Sequence, residues 1–102
     1  MTAPVLNRQG WTTQIVTVVT AGTPVQGPDV KIPHGFGIAI SQRRHAASPI
    51  GYVAKSSAAA LVDATRKELR DGEGFVLFLT NMNLLWFDAS ASSTVFELTA
   101  EQ

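Results

Sequence analysis

The alternation of apolar and polar positions predicts a chain built almost wholly of short strands. Thr12 to Thr20 (TTQIVTVVT) is nearly all β-branched, the side-chain shape that packs best on a pleated surface. Ala21-Gly22-Thr23-Pro24 ends it as a turn. Val25 to Ile32 reads as a second, irregular strand. Pro24, Pro28 and Pro33 cannot donate to a ladder, which places that stretch at a sheet edge. After a turn at His34-Gly35, Phe36, Ile38 and Ile40 alternate with Gly37, Ala39 and Ser41, as in a half-buried strand. Gln42 to Pro49 is a polar loop. Ile50 to Lys55 is a short strand with Ile50 and Tyr52 on one face and Val53 on the other. Phe75 to Thr80 (FVLFLT) is apolar on both faces and so reads as a central strand. Asn81-Met82-Asn83 is a tight reversal into Leu84 to Ala89, its expected antiparallel partner. Thr94 to Ala100 alternates with Phe96 and Leu98 inward.

One segment changes period. Between Ser56 and Asp71, Leu61, Val62, Thr65 and Leu69 recur on one helical face. Ser57 serves as N-cap, Gly72 as the stop, and Asp63 and Lys67 as an i, i+4 pair. This predicts one short helix. Residues 1–11 show no period and hold Pro4, Asn7 and Gly10, so they read as an N-terminal arm. The expected organisation is that arm followed by one domain over 12–102. The domain is mostly β, a single antiparallel β-sandwich or barrel of jelly-roll type with six to seven short strands and one short helix. The arm carries Val5, Leu6 and Trp11, apolar groups that a free tail does not need, and is expected to order against a neighbouring subunit.

Composition narrows the function. A chain of 102 residues is one domain. Only 16% of its residues are charged, against about 25% in an average globular chain, so part of the surface is expected to be hidden in an assembly. Eight basic and eight acidic residues balance, which argues against nucleic acid or an anionic membrane as partner. The absence of cysteine removes disulfides, thiolate zinc sites and thiol nucleophiles. Met1-Thr2-Ala3-Pro4 does not begin a signal peptide, and no apolar run approaches the ~20 residues of a membrane span. The expectation is synthesis in the cytoplasm.

Candidate chemistry is sparse. His34 and His45 lie on separate loops without a spacing that suits a metal. Gly35-Phe36-Gly37 lacks a third glycine, with Ile40 in its place, and leads into a strand, which excludes a dinucleotide turn. Arg43-Arg44-His45 is the basic cluster outside the helical segment. It has no interleaved aromatics, so it reads as a solvated loop or as ion-pair partners rather than a nucleic-acid site. Asp88 either pairs with Arg43 or Arg44 or caps a turn, and a lone carboxylate is no acid–base pair. Trp86, Phe87 and Phe78 are the candidates for an aromatic sugar platform. In so small a sandwich they read first as core, Trp86 in particular. No catalytic residue, cofactor or metal is expected, and the chain reads as non-enzymatic.

The order of motifs is similar to that of small β-sandwich virion proteins of tailed bacteriophages, of the capsid-decoration or head-accessory kind. The likeness lies in Val16-Thr17-Val18-Val19-Thr20-Ala21-Gly22-Thr23-Pro24-Val25-Gln26, in Ile32-Pro33-His34-Gly35-Phe36 and in Gly51-Tyr52-Val53-Ala54-Lys55-Ser56-Ser57. It continues in Asp71-Gly72-Glu73-Gly74 and from Thr80-Asn81-Met82-Asn83 through Leu84 to Ser90. It spans residues 12–100, and Ala58 to Arg70 departs from it. The resemblance implies a homo-oligomer, with a trimer as the candidate order, docked on the major capsid protein at the virion surface. The alternatives are a head–tail connector or tail-associated subunit, and a receptor- or glycan-binding module. The candidate interface residues are Arg8 and Trp11 in the arm, and Arg43 and Arg44 in the loop.

Overall fold

The computed structural model describes residues 11–101. It holds eight strands: β1 (Trp11–Val18), β2 (Val25–Gln26), β3 (Ile38–Gln42), β4 (Gly51–Ala54), β5 (Lys67–Leu69), β6 (Gly74–Leu77), β7 (Trp86–Ala89) and β8 (Thr94–Glu101). They form two antiparallel four-stranded sheets. Sheet A runs β1-β8-β3-β6 and sheet B runs β2-β7-β4-β5. The two pack face to face as a β-sandwich, the architecture the alternating pattern implies.

The registers show why these residues face as they do. Across sheet A, Val16, Phe96 and Gln42 share one inward row, while Leu98, Ile40 and Phe75 share the next. Across sheet B, Val25, Phe87 and Val53 face inward together, as do Ala89, Gly51 and Leu69. Side chains alternate faces with period two, so each strand delivers its apolar set to the space between the sheets. Phe87 of sheet B meets Phe96 of sheet A with ring centroids 5.0 Å apart and planes tilted by 47°. Both are fully buried. Gly51 is required beside them: a Cβ there would collide with Gln42 Oε1 and lie 2.7 Å from the Phe96 ring.

Several expectations are corrected. Among the described residues there is no α-helix. The segment expected to be helical makes two 3₁₀ turns, Ala59–Leu61 and Asp63–Thr65, and then strand β5. Val62 between the turns is extended, with φ −118° and ψ 124°, as β-branching favours. An isolated helix of this length is marginal in water, and β5 instead completes the ladder of β4. Asp63 pairs with Arg66 rather than Lys67. The run from Phe75 forms β6 at the edge of sheet A, not its centre. β7 is not its partner but crosses to sheet B, because Met82–Leu84 is a 3₁₀ turn capped by Asn81. Trp86 is half-buried on the outer face of sheet B, and its neighbour Phe87 takes the core position. β3 begins at Ile38, leaving Phe36 in the preceding loop. Trp11, expected in the arm, opens β1 opposite Glu101.

Candidate interaction surface

The two outer faces of the sandwich differ. Sheet B is covered by its own chain. Tyr52, Ala54 and Asp88 lie on its outer face and are buried. The segment from Lys55 to Arg66 folds over them with Ala60 fully buried. Arg66 clamps that cover: its guanidinium carbon lies 3.4 Å from the Tyr52 ring centroid, Nη1 donates to the Ala60 carbonyl at 3.0 Å and Nη2 to Asp63 Oδ1 at 3.1 Å. Cation–π stacking of this kind is strongest where water is excluded. Asp88 caps a turn, and a distant one. Its Oδ1 accepts from the Gly22 N–H at 2.9 Å, where Gly22 holds φ +85° in the reversal between β1 and β2.

Sheet A is bare. Its outward rows are Thr13–Thr99–Ala39–Val76 and Ile15–Glu97–Ser41–Gly74. Thr17 and Val95 continue the face at one end, and Phe78 lies just past β6 at the other. Phe78 is 74% exposed and Val76 60%. Glu97 is the charge in those rows, and Arg43 at the end of β3 pairs with it. The Arg43 N–H also donates to the Val95 carbonyl at 2.9 Å, which fixes the backbone beneath that pair.

A second feature opens beside β6. Between the margin of sheet A and that of sheet B lies an apolar cleft of about 720 Å³. Phe75, Leu77 and Leu79 line one wall, Val53 and Ala54 the other, and Leu84 and Leu85 the end, with Lys67 on the rim. Lys67 Nζ stands 5.1 Å from the Phe75 ring centroid.

Of the four candidate interface residues, the backbone positions of Trp11, Arg43 and Arg44 are described, and they lie at opposite ends of sheet A. Arg8 lies outside the described residues, as does the rest of the arm before Trp11. Trp11 opens β1 at one end of sheet A, while Arg43 and Arg44 follow β3 at the other. Six residues of β8 separate the two levels, roughly 20 Å at the rise of a strand. Arg44 is exposed beside Gly72. His45 is built into its loop: its N–H donates to Asp71 Oδ1 at 2.7 Å and its Nδ1 accepts from the Ala47 N–H at 3.0 Å. His34 is exposed on the turn closed by Phe36 N–H to the Pro33 carbonyl at 3.1 Å. Among the described residues no three His, Asp or Glu side chains converge as a metal set. No helix there is long and apolar enough to cross a membrane. Phe78 is exposed beside sheet A, Trp86 lies on the outer face of sheet B and Phe87 is buried between the sheets, so the three do not make a joint platform. The run FVLFL followed by Leu84-Leu85 is the sequence signal for the cleft and for the apolar end of the bare face. Comparison with protein-family models, curated proteins and solved structures finds no match.

Proposed function

We propose that this chain is a non-enzymatic structural protein of a phage virion, of the capsid-decoration kind, which docks through the outer face of sheet A on the major capsid protein. One observation carries the docking reading: the centre of sheet B is covered by its own chain, while the rows Thr13–Thr99–Ala39–Val76 and Ile15–Glu97–Ser41–Gly74 of sheet A lie open and Glu97, the charge in those two rows, is paired with Arg43. Small residues such as Ala39, Ser41 and Thr99 leave that face flat. A partner surface can approach it without stripping water from unpaired charges, the costly step in forming an interface. The virion setting is supported by the order of motifs alone. In that setting the mechanism is mass action. A protein that binds only the assembled lattice stabilises the lattice over its separated subunits.

The experiment is co-sedimentation with shells assembled from the major capsid protein of the same source. Wild-type chain is expected to pellet with the shells. Thr99→Arg and Ala39→Arg, which place unpaired charge on the face, are expected to stay in the supernatant while retaining the wild-type circular dichroism spectrum. Pelleting of both variants at the wild-type level contradicts the assignment of the face, and no pelleting of wild type contradicts the virion reading.

A further inference from the structure

The four edge strands described are guarded very differently. β2 is two residues long between Pro24 and Pro28, and β5 is three residues long and carries Lys67 and Glu68, with Arg70 next. Shortness, proline and charge are the devices that stop an edge from pairing with another chain. β1 carries the polar residues Thr12, Thr13, Gln14 and Thr17 among its apolar ones. β6 and its continuation read Gly-Phe-Val-Leu-Phe-Leu, with no proline, no charge and no polar side chain. Such a strand has the composition of one buried on both faces, yet it pairs on one side only, with β3.

We infer that β6 is completed by β6 of a second copy of this chain, paired antiparallel about a twofold axis near Leu77. Opposed residues of an antiparallel pair lie on the same face. A twofold perpendicular to the sheet therefore sets Phe75, Leu77 and Leu79 of each copy over the shared inner layer. It sets Val76 and Phe78 of each copy together on the outer face. The partner strand lies about 4.8 Å beyond β6, over the open margin where the 720 Å³ cleft begins, and its inward leucines cover that margin. Apolar meets apolar on both faces, which pairing with β1 does not achieve because Thr13, Gln14 and Thr17 would then oppose them. Zero net charge leaves no long-range repulsion between copies. The contact is isologous and closes as a dimer, so two copies, rather than three, form the unit. This pairing does not depend on the virion reading, and the outer faces of the two sheets A then form one continuous surface.

The test is sedimentation of the full chain, followed by cysteine cross-linking. Wild type is expected to run at twice 10.9 kDa and Val76→Lys at the monomer mass, with matching circular dichroism. Because the chain has no cysteine, single substitutions at 75 to 79 can be oxidised one at a time. Disulfide-linked dimer is expected to peak at Leu77→Cys and to be absent for Thr13→Cys on β1. A wild-type monomer at 100-fold dilution below and at the highest attainable concentration overturns the pairing. So does a dimer that survives Val76→Lys, or one that cross-links best at Thr13→Cys.

Discussion

Replacing Phe87 and Trp86 separately by alanine tests the register of β7, on which both faces of sheet B depend. A shift of one residue exchanges every side chain between the two faces. In the observed register Phe87 is fully buried against Phe96, and Trp86 is half-buried on the outer face. A buried phenylalanine hides on the order of 200 Å². Allowing for what alanine still buries, ~25 cal/mol per Å² gives about 3–4 kcal/mol, in line with the ~3–5 kcal/mol found for Phe→Ala in cores. Trp86 loses contact on one side only, and the same coefficient gives about 1–2 kcal/mol. The assay is urea unfolding followed by far-ultraviolet circular dichroism. With an m-value of about 1.5 kcal/mol/M, Phe87→Ala lowers the midpoint by roughly 2–3 M and Trp86→Ala by roughly 1 M. If Phe87→Ala does not fold, Phe87→Leu replaces it, with an expected cost of about 1 kcal/mol. The reasoning is refuted if Trp86→Ala costs as much as Phe87→Ala or more, because Trp86 would then hold the core position.

Three further outcomes follow from individual contacts. Gly51→Ala drives a methyl into Gln42 and the Phe96 ring and is expected to cost about 1–3 kcal/mol in the same unfolding assay, where a neutral result contradicts the packing. Arg66→Ala is expected to raise amide hydrogen exchange across 55–66 while leaving β8 protected. Arg66→Lys is expected not to restore protection, because an ammonium cannot stack on Tyr52 and donate through two nitrogens at once. Asp88→Ala removes the acceptor of the Gly22 N–H and is expected to cost about 1.5–3 kcal/mol, the range for a hydrogen bond to a charged group; a loss below 0.5 kcal/mol shows the cap to be idle.

The strands were legible in the sequence wherever one face is buried. β3 from Ile38 and β8 from Thr94 follow the alternation, since period two leaves no other face for Ile40 or Leu98, and β1 forms where β-branching predicts a strand. Of the irregular strand expected over Val25 to Ile32, Val25–Gln26 forms as β2, at an edge as the prolines implied. Long-range pairing was not legible. Leu61 and Val62 suggested a helical face but are about half exposed, and Leu69 is buried by β4 rather than by helical neighbours. The short Asn81-Met82-Asn83 reversal implied a hairpin. Met82 is instead fully buried, and the chain leaves for the other sheet. Its size and its place in an apolar strand beside a tight reversal point Trp86 to the core, whereas the register assigns the core to Phe87. Of the candidate site, an ion pair was one of two readings of the isolated basic cluster, and Arg43 makes it with Glu97 rather than with Asp88. The bare face was not legible, because it is defined by what sheet B has and sheet A lacks.

The proposed role is that of a structural subunit of a particle, acting through protein contacts. It is tested most directly by counting copies of the chain in purified particles from the same source, by quantitative mass spectrometry against the major capsid protein. A fixed ratio on the scale of the whole lattice is expected, lowered by Thr99→Arg. A ratio on the scale of one ring would place the chain at the connector or tail, and its absence from particles would rule out the virion role.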